Sequence, residues 1–307
     1  MMIKPSGSWV AIPTPFDSRN KVDFGGFREL VDFHVAHGTS MLFCMGSAGE
    51  VTMLTPEERY GIIPEMVKLC RGRIPVFFGS TMATTEATVK LAQYAEKEGA
   101  DGLVFSAPYY LLPSAAAVNE FFLTAMSSVA LPVGVYNNPS RTGVMLEPEM
   151  IAGFAERCPN FVVDKEAMPS VGHLCEVKRR LGDRVSLMCC DFPKYSILLP
   201  LMAMGGQGAA NIGGNVIPEE MALMSKAWDS IDQVKACRDT YLKYYDLLKA
   251  LYFFSNPVCI KAALRMMGLP AGGLRKPYQE LGGDKLAELR RLMEELGVFA
   301  KYGKSAN

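Results

Sequence analysis

Short apolar runs recur along the chain, and each is followed by a longer segment of helical period. The runs predict strands over 9–13, 41–45, 75–79, 102–106, 132–136, 161–165, 185–190 and 208–212. Between them, helical periodicity predicts helices over 24–36, 56–70, 84–98, 115–127, 147–156, 171–181 and 195–204. Thr55-Pro56-Glu57-Glu58 sets a capping threonine before a proline and two acids, the local chemistry of a helix start. Strands alternating with helices imply parallel strands joined by right-handed crossovers. Eight such units in about 225 residues match a closed (β/α)8 TIM barrel of the α/β class. An open, doubly wound sheet is the rival. No G-x-G-x-x-G follows the first strand, and eight units close naturally, so the barrel is preferred. Beyond Ile217-Pro218 only helical period remains, over 219–230, 231–252, 256–267 and 284–299. The expected organisation is a barrel domain over 1–225 and a C-terminal helical domain over 226–307.

Composition narrows the function. Hydrophobic residues make up 49% of the chain and charged residues 21%, which suits a globular protein with a sizeable core. The 32 Lys and Arg balance the 32 Asp and Glu, and no basic stripe with interleaved aromatics argues for a nucleic-acid partner. A balanced charge fits a small-molecule enzyme. The 8 cysteines form no C-x-x-C pair and only 3 histidines are present, so no zinc site of ordinary spacing is expected. Cys189-Cys190 reads as a pair of small apolar residues ending a strand rather than as a redox pair. The N-terminus lacks the apolar core of a signal peptide, and no apolar run is long enough to span a bilayer. The expected setting is the cytoplasm, with reduced thiols.

Lys165 is the most informative residue. It ends the apolar run Phe161-Val162-Val163-Asp164-Lys165-Glu166-Ala167. Desolvating an ammonium is costly, so a lysine placed there either caps the strand and reaches water or is held as an amine able to attack a carbonyl. In a barrel, reactive groups gather where strands end and on the loops that follow. Tyr136 ends the fifth strand, Gly46-Ser47-Ala48-Gly49-Glu50 follows the second, Ala107-Pro108-Tyr109-Tyr110 the fourth, and Gly205-Gly206-Gln207-Gly208 leads into the eighth. A lysine amine and a keto group form an iminium that acts as an electron sink, and each proton transfer then needs a group within hydrogen-bond reach. Tyr136 can move that proton if a second hydroxyl, such as Ser47, relays it. Gly46 and Gly49 let backbone N–H groups approach a carboxylate closely.

These motifs resemble the dihydrodipicolinate synthase / N-acetylneuraminate lyase family of class I aldolases. The resemblance runs through nearly the whole chain in order. Gly46–Glu50 is similar to the family's G-[ST]-[TS]-G-E, Tyr136–Gly143 to its Y-N-x-P-x-R-T-G, Asp164–Ala167 to its x-K-E-A, Gly205–Asn215 to its glycine-rich segment, and Asn256–Lys261 to its N-P-x-P-x-K. It implies that Lys165 forms a Schiff base with pyruvate or a related 2-keto acid, with Tyr136 as general acid and base. It implies a hydroxyl relay completed by Ser47 and by Tyr110, the latter reaching across a subunit interface. The amides of Ser47 and Ala48, beside Gly49, would hold the keto-acid carboxylate, Arg141 would meet the carboxylate of an aldehyde substrate, and the Ala210 carbonyl would face the pyruvyl group. A homotetramer built from two tight dimers is likewise implied.

Other readings stand beside these. Tyr109-Tyr110 could be interface packing, Arg141 could pair with a rim carboxylate, and the Gly205–Gly208 glycines serve tight packing in preference to a phosphate cradle. Glu50 reads as structural within its loop, and His173 as a surface or partly buried histidine. Two departures bear on the substrate. Ala48 stands where the family carries a second hydroxyl, and the segment Cys189-Cys190-Asp191-Phe192-Pro193-Lys194-Tyr195 replaces an acidic stretch after the seventh strand. The leading reaction is condensation of pyruvate with aspartate semialdehyde. The alternatives are an aldolase of a 2-keto-3-deoxy sugar acid, a dehydratase or deaminase of a hydroxylated keto or imino acid, and a keto-acid-binding barrel without turnover. Because the lysine supplies the electron sink, neither a metal nor an organic cofactor is expected.

Overall fold

The structure, a computed structural model, describes residues 2–304. Its eight parallel strands close into a barrel in chain order, the last pairing with the first. They are β1 (Gly7–Ala11), β2 (Met41–Cys44), β3 (Val76–Gly79), β4 (Gly102–Ser106), β5 (Val133–Asn137), β6 (Phe161–Glu166), β7 (Ser186–Cys189) and β8 (Gly208–Asn211). Every predicted strand is present, with ends shifted by at most two residues. The barrel's outer helices are α1 (Phe24–Ala36), α2 (Pro56–Cys70), α3 (Thr85–Glu98), α4 (Ala115–Ser127), a short α5 (Pro139–Thr142), α6 (Pro148–Arg157), α7 (Val171–Leu181), α8 (Leu198–Ala203) and α9 (Pro218–Met224). The C-terminal helices are α10 (Ile231–Ala250), α11 (Val258–Met266), α12 (Gly283–Glu295) and α13 (Val298–Tyr302). Among the described residues, no helix is long and apolar enough to cross a membrane.

Local sequence sets the helix starts. Thr55 caps α2 in a reciprocal capping box with Glu58, behind Pro56 at the first turn. Asp23, Thr84, Ser114, Ser170 and Ser230 accept from backbone amides at the starts of α1, α3, α4, α7 and α10. Three helical expectations are corrected. The helix expected over 284–299 breaks at Gly297, whose φ of 72° lies in the left-handed region, and so divides into α12 and α13. The helix expected over 195–204 begins only at Leu198, because Ser196 at φ 53° separates it from a single 3-10 turn over Pro193–Tyr195. The helix expected over 219–230 ends at Met224.

The barrel is filled by side chains. Trp9 of β1 is fully buried, its indole N–H donating to the Leu42 carbonyl at 3.1 Å and its ring meeting the rings of Phe43 and Phe77 edge-on at 5.5 and 5.6 Å. Gly102 pairs with Phe77, and a Cβ there would lie 2.3 Å from the Phe77 ring, so the glycine makes room for that ring.

A buried ion pair joins the loop after β2 to the C-terminal helices. Lys261 of α11 is fully buried, 2.6 Å from the Glu50 carboxylate, and donates to the Gly273 carbonyl at 2.8 Å. Arg275 donates its backbone N–H to the same carboxylate at 3.1 Å and forks onto Glu58 of α2. Both cations pack over the Phe16 ring at 4.2 Å. Glu50 therefore reaches well beyond its own loop. Burial pushes Lys261 down to about 8 against the pull of Glu50. Lys261→Met leaves Glu50 a buried, half-unpaired charge, and unfolding in urea should show a loss of about 3–5 kcal/mol.

Candidate active site

Side chains on a strand alternate between its two faces. On β6 this sends Lys165 into the barrel and its neighbours Asp164 and Glu166 to the other face. Lys165 is 5% exposed. Its ammonium-end nitrogen sits 3.5 Å from the centre of the Tyr136 ring and 5.6 Å from that of Phe43. Tyr136 is its register partner on β5, so strand pairing sets the two side by side.

Two cavities meet at this point. One, of about 320 Å3, is lined by Lys165, Tyr136, Ser47, Arg141, Ala210 and an aromatic wall that includes Phe192 and Tyr252. The other, of about 190 Å3, shares Phe43, Ser47, Tyr136 and Arg141 and extends past Thr81, Ser106 and Tyr109. The structure thus brings together Lys165, Tyr136, Ser47, Arg141 and Ala210. Ala48 and Gly49 are buried in the loop behind Ser47 and line neither cavity. A Cβ on Gly49 would stand 3.1 Å from the Met45 nitrogen, so the turn closes tightly there. In this turn the amides of Gly49 and Glu50 donate to the carbonyls of Gly46 and Ser47. Tyr110 stands apart. It is 91% exposed, has φ 75° and lines neither cavity of its own chain, while Tyr109 lines the smaller one.

The phenol of Tyr136 is anchored. Asn138 donates its amide N–H to the phenol oxygen at 2.5 Å, Ser140 donates to Asn138 at 2.6 Å, and Tyr195 donates to Ser140 at 3.4 Å. Arg141 sits on α5, directly after β5, and donates to Ser255 at 3.3 Å. Its guanidinium stays at the mouth of both cavities, on a short helix that the sequence pattern did not predict.

Behind the cavity, Glu166 accepts from Asn137 at 3.0 Å, from His173 at 2.9 Å and from the Met168 amide at 2.7 Å. His173 is thus a buried-side partner of β6, its side chain 7% exposed. Asp191, after β7, accepts from the Tyr252 hydroxyl at 2.5 Å and from the Gly213 amide at 2.7 Å. Burial pushes its carboxyl above the usual carboxylate range, and these bonds offset that push only in part. Sequence reasoning missed Asn138, Ser140, Glu166, Thr81 and Ser106. Polar residues at the ends of successive strands were the available signal. Tyr252, Phe253 and Phe254 carried none, because they come from the end of α10.

The chain belongs to the dihydrodipicolinate synthetase family, whose sequence profile matches residues 4–296. It is 34% identical over 295 residues to a protein named 4-hydroxy-tetrahydrodipicolinate synthase from Aquifex aeolicus, covering 96% of this chain and 99% of that one. It is 33% identical over 293 residues to a protein of the same name from Methanocaldococcus jannaschii, covering 95% and 99%. Among solved structures, dihydrodipicolinate synthase from Aquifex aeolicus superposes with a TM-score of 0.91 at 32% identity, covering 96% and 99% of the two chains. The enzyme from Thermotoga maritima superposes with a TM-score of 0.89 at 30% identity, covering 96% and 100%.

Asp164 is the exception to this well-satisfied surrounding. It is fully buried, and among the described residues neither carboxyl oxygen has a hydrogen-bond partner. Burial, and then the charge of Glu166, push it well above the usual carboxylate range. A carboxyl raised on folding binds its proton more tightly in the native state, so stability is present below the ordinary carboxylate pKa and declines as pH rises above it. Asp164→Asn removes that decline. Thermal unfolding should show the variant more stable than the parent by about 1–3 kcal/mol at pH 8, with the difference vanishing near pH 3.

Proposed function

We propose that this chain is a Schiff-base-dependent synthase or lyase of pyruvate-type 2-keto acids, with condensation of pyruvate and aspartate semialdehyde as its leading reaction. The observation that carries the reading is the amine of Lys165 held 3.5 Å from the Tyr136 ring within the larger cavity. The amine adds to the keto carbon of pyruvate, and loss of water leaves an iminium. The iminium draws electrons from the neighbouring methyl carbon, which gives up a proton and becomes an enamine nucleophile. Tyr136 carries that proton, its phenol oxygen oriented by Asn138. The enamine carbon bonds to the aldehyde carbon, the aldehyde oxygen takes a proton, and water then frees the lysine.

The carboxylate of the bound keto acid is assigned to the turn around Ser47, Ala48 and Gly49, and its pyruvyl face to Ala210 on β8. The hydroxyl of Ala48's family counterpart is missing. Removing one such donor is worth about 1–3 kcal/mol where it would be paired. Arg141 supplies the cation for a carboxylate on the aldehyde. A homotetramer of two tight dimers is supported by the outward loop of Tyr110, Leu111 and Leu112, all exposed on the single chain. In that assembly Tyr110 of one copy completes the relay of another. A cytoplasmic setting is supported by eight free cysteines, seven of them buried.

Borohydride reduction in the presence of pyruvate should add the mass of one reduced pyruvyl group to the peptide holding Lys165. Lys165→Ala should give no adduct while keeping its far-ultraviolet spectrum, and an adduct that persists in this variant refutes the assignment. Tyr136→Phe should still trap pyruvate but lower kcat about 10^2–10^4-fold. Leu111→Glu should shift sedimentation toward smaller species and lower kcat with them. Retention of full mass and full rate would remove the cross-subunit role of Tyr110.

A further inference from the structure

We propose that Lys261, outside the barrel on α11, is a positioning residue for the keto-acid carboxylate, acting through Glu50 on the turn at Ser47 and Ala48. The inference rests on the Schiff-base reading above and extends it to the groups that fix the charged end of the keto acid.

The backbone of this turn is unusual. Met45 at φ 57° and Glu50 at φ 53° are both left-handed, and neither is glycine. Residues held in that region persist only where their surroundings over-determine them. With the chain bent this way, the amides of Gly49 and Val51 fold back onto the Gly46 carbonyl and that of Glu50 onto the Ser47 carbonyl. The amides of Ser47 and Ala48 meet no acceptor among the described residues. Two successive free N–H groups, with the Ser47 side chain reaching both cavities, are the donors that a carboxylate takes.

What holds the turn lies far along the chain. The side chains of Glu50 and Lys261 are both fully buried and stand 2.6 Å apart. Arg275 donates its backbone N–H to the other carboxylate oxygen at 3.1 Å. Lys261 is itself held by the Gly273 carbonyl at 2.8 Å and by the Phe16 ring at 4.2 Å. Thr14 adds a tie from the barrel side, donating to the Gly49 carbonyl at 2.7 Å. A buried carboxylate that loses its cation must move or take up a proton. Either change releases the left-handed backbone of Glu50, and the two free amides lose their shared aim. Lys261 lines neither cavity beside Lys165, so its effect reaches the keto acid only through Glu50.

The test uses the full chain in its native assembly. The concentration that gives half-maximal borohydride adduct at Lys165 is measured for pyruvate and for pyruvamide, which has the same shape and no charge. The parent should take pyruvate at a concentration at least about tenfold below pyruvamide. The paired variant Glu50→Gln with Lys261→Met removes both charges and leaves no lone buried ion. It should bring the two concentrations to within about threefold of each other. In condensation with aspartate semialdehyde it should raise KM for pyruvate about tenfold while kcat moves less than about twofold. Glu50→Gln alone, in which Lys261 can shed its proton, should do the same. Lys261→Arg, which keeps the cation, should retain most of the parent's preference. A tie that served stability alone would instead lower kcat with the folded fraction and leave the preference intact. If the folded variants keep the parent's preference, or the parent shows none, the proposal falls and the Schiff-base reading stands. If neither ketone is trapped on Lys165 of the parent, that reading falls and the proposal falls with it.

Discussion

The two-residue alternation of one strand decides the character of this site. On β6, Lys165 faces the barrel axis, and the two acids beside it face the helices. A carboxylate on the same face would have given the lysine a permanent partner. Instead its nitrogen meets the rings of Tyr136 and Phe43. Closure of the sheet makes this arrangement rigid, because β6 is hydrogen-bonded to a neighbour along both edges. Strand pairing thus places an amine where aromatic faces surround it and a phenol from the next strand lies alongside.

Rigid strands alone do not fix the loops that carry the remaining groups. Three buried polar ties do so, two of them reaching far along the sequence. Glu50 links the Ser47 turn to Lys261 and Arg275. Glu166 links the end of β6 to Asn137 and to His173 on α7. Asp191 links the end of β7 to the amide of Gly213 and to Tyr252. Buried polar groups of this kind are costly when half-satisfied and hold a single geometry when complete. Glu50 lines the smaller cavity itself, and Asp191 holds Tyr252, which lines the larger one. Asp164 shows the contrast, a buried carboxyl on the same strand with no partner among the described residues.

The site also has two sides of different chemistry. Toward β2, β3 and β4 the lining carries the hydroxyls of Ser47, Thr81, Ser106 and Tyr109. Toward β7 and the end of α10 it carries the rings of Phe192, Tyr195 and Tyr252 beside polar groups that include Asn138, Ser140 and Asn256. Tyr136, Ser47, Phe43 and Arg141 line both sides, and Lys165 lines the second. Phe192 and Tyr195, from the segment after β7, stand in the wall of the cavity that Lys165 and Tyr136 also line.

Local patterns made most of the fold legible. Eight apolar runs at regular spacing gave eight strands, and capping residues such as Thr55 gave helix starts, because both depend on neighbours a few positions away. Lys165 and Tyr136 were legible for the same reason, since each ends a strand whose C-terminal edge is where barrels hold reactive groups. Left-handed backbone at Ser196 and Gly297 escaped the pattern, because an apolar period does not register a single residue that turns the chain. The outward position of Tyr110, the aromatic wall and the Glu50–Lys261 tie were decided only by tertiary structure. Glu50 and Lys261 lie some 200 residues apart, and no local rule relates them. Sequence determines what each segment becomes, whereas the pairing of distant charges and rings is settled when closure of the barrel brings strand ends and the C-terminal helices to one rim.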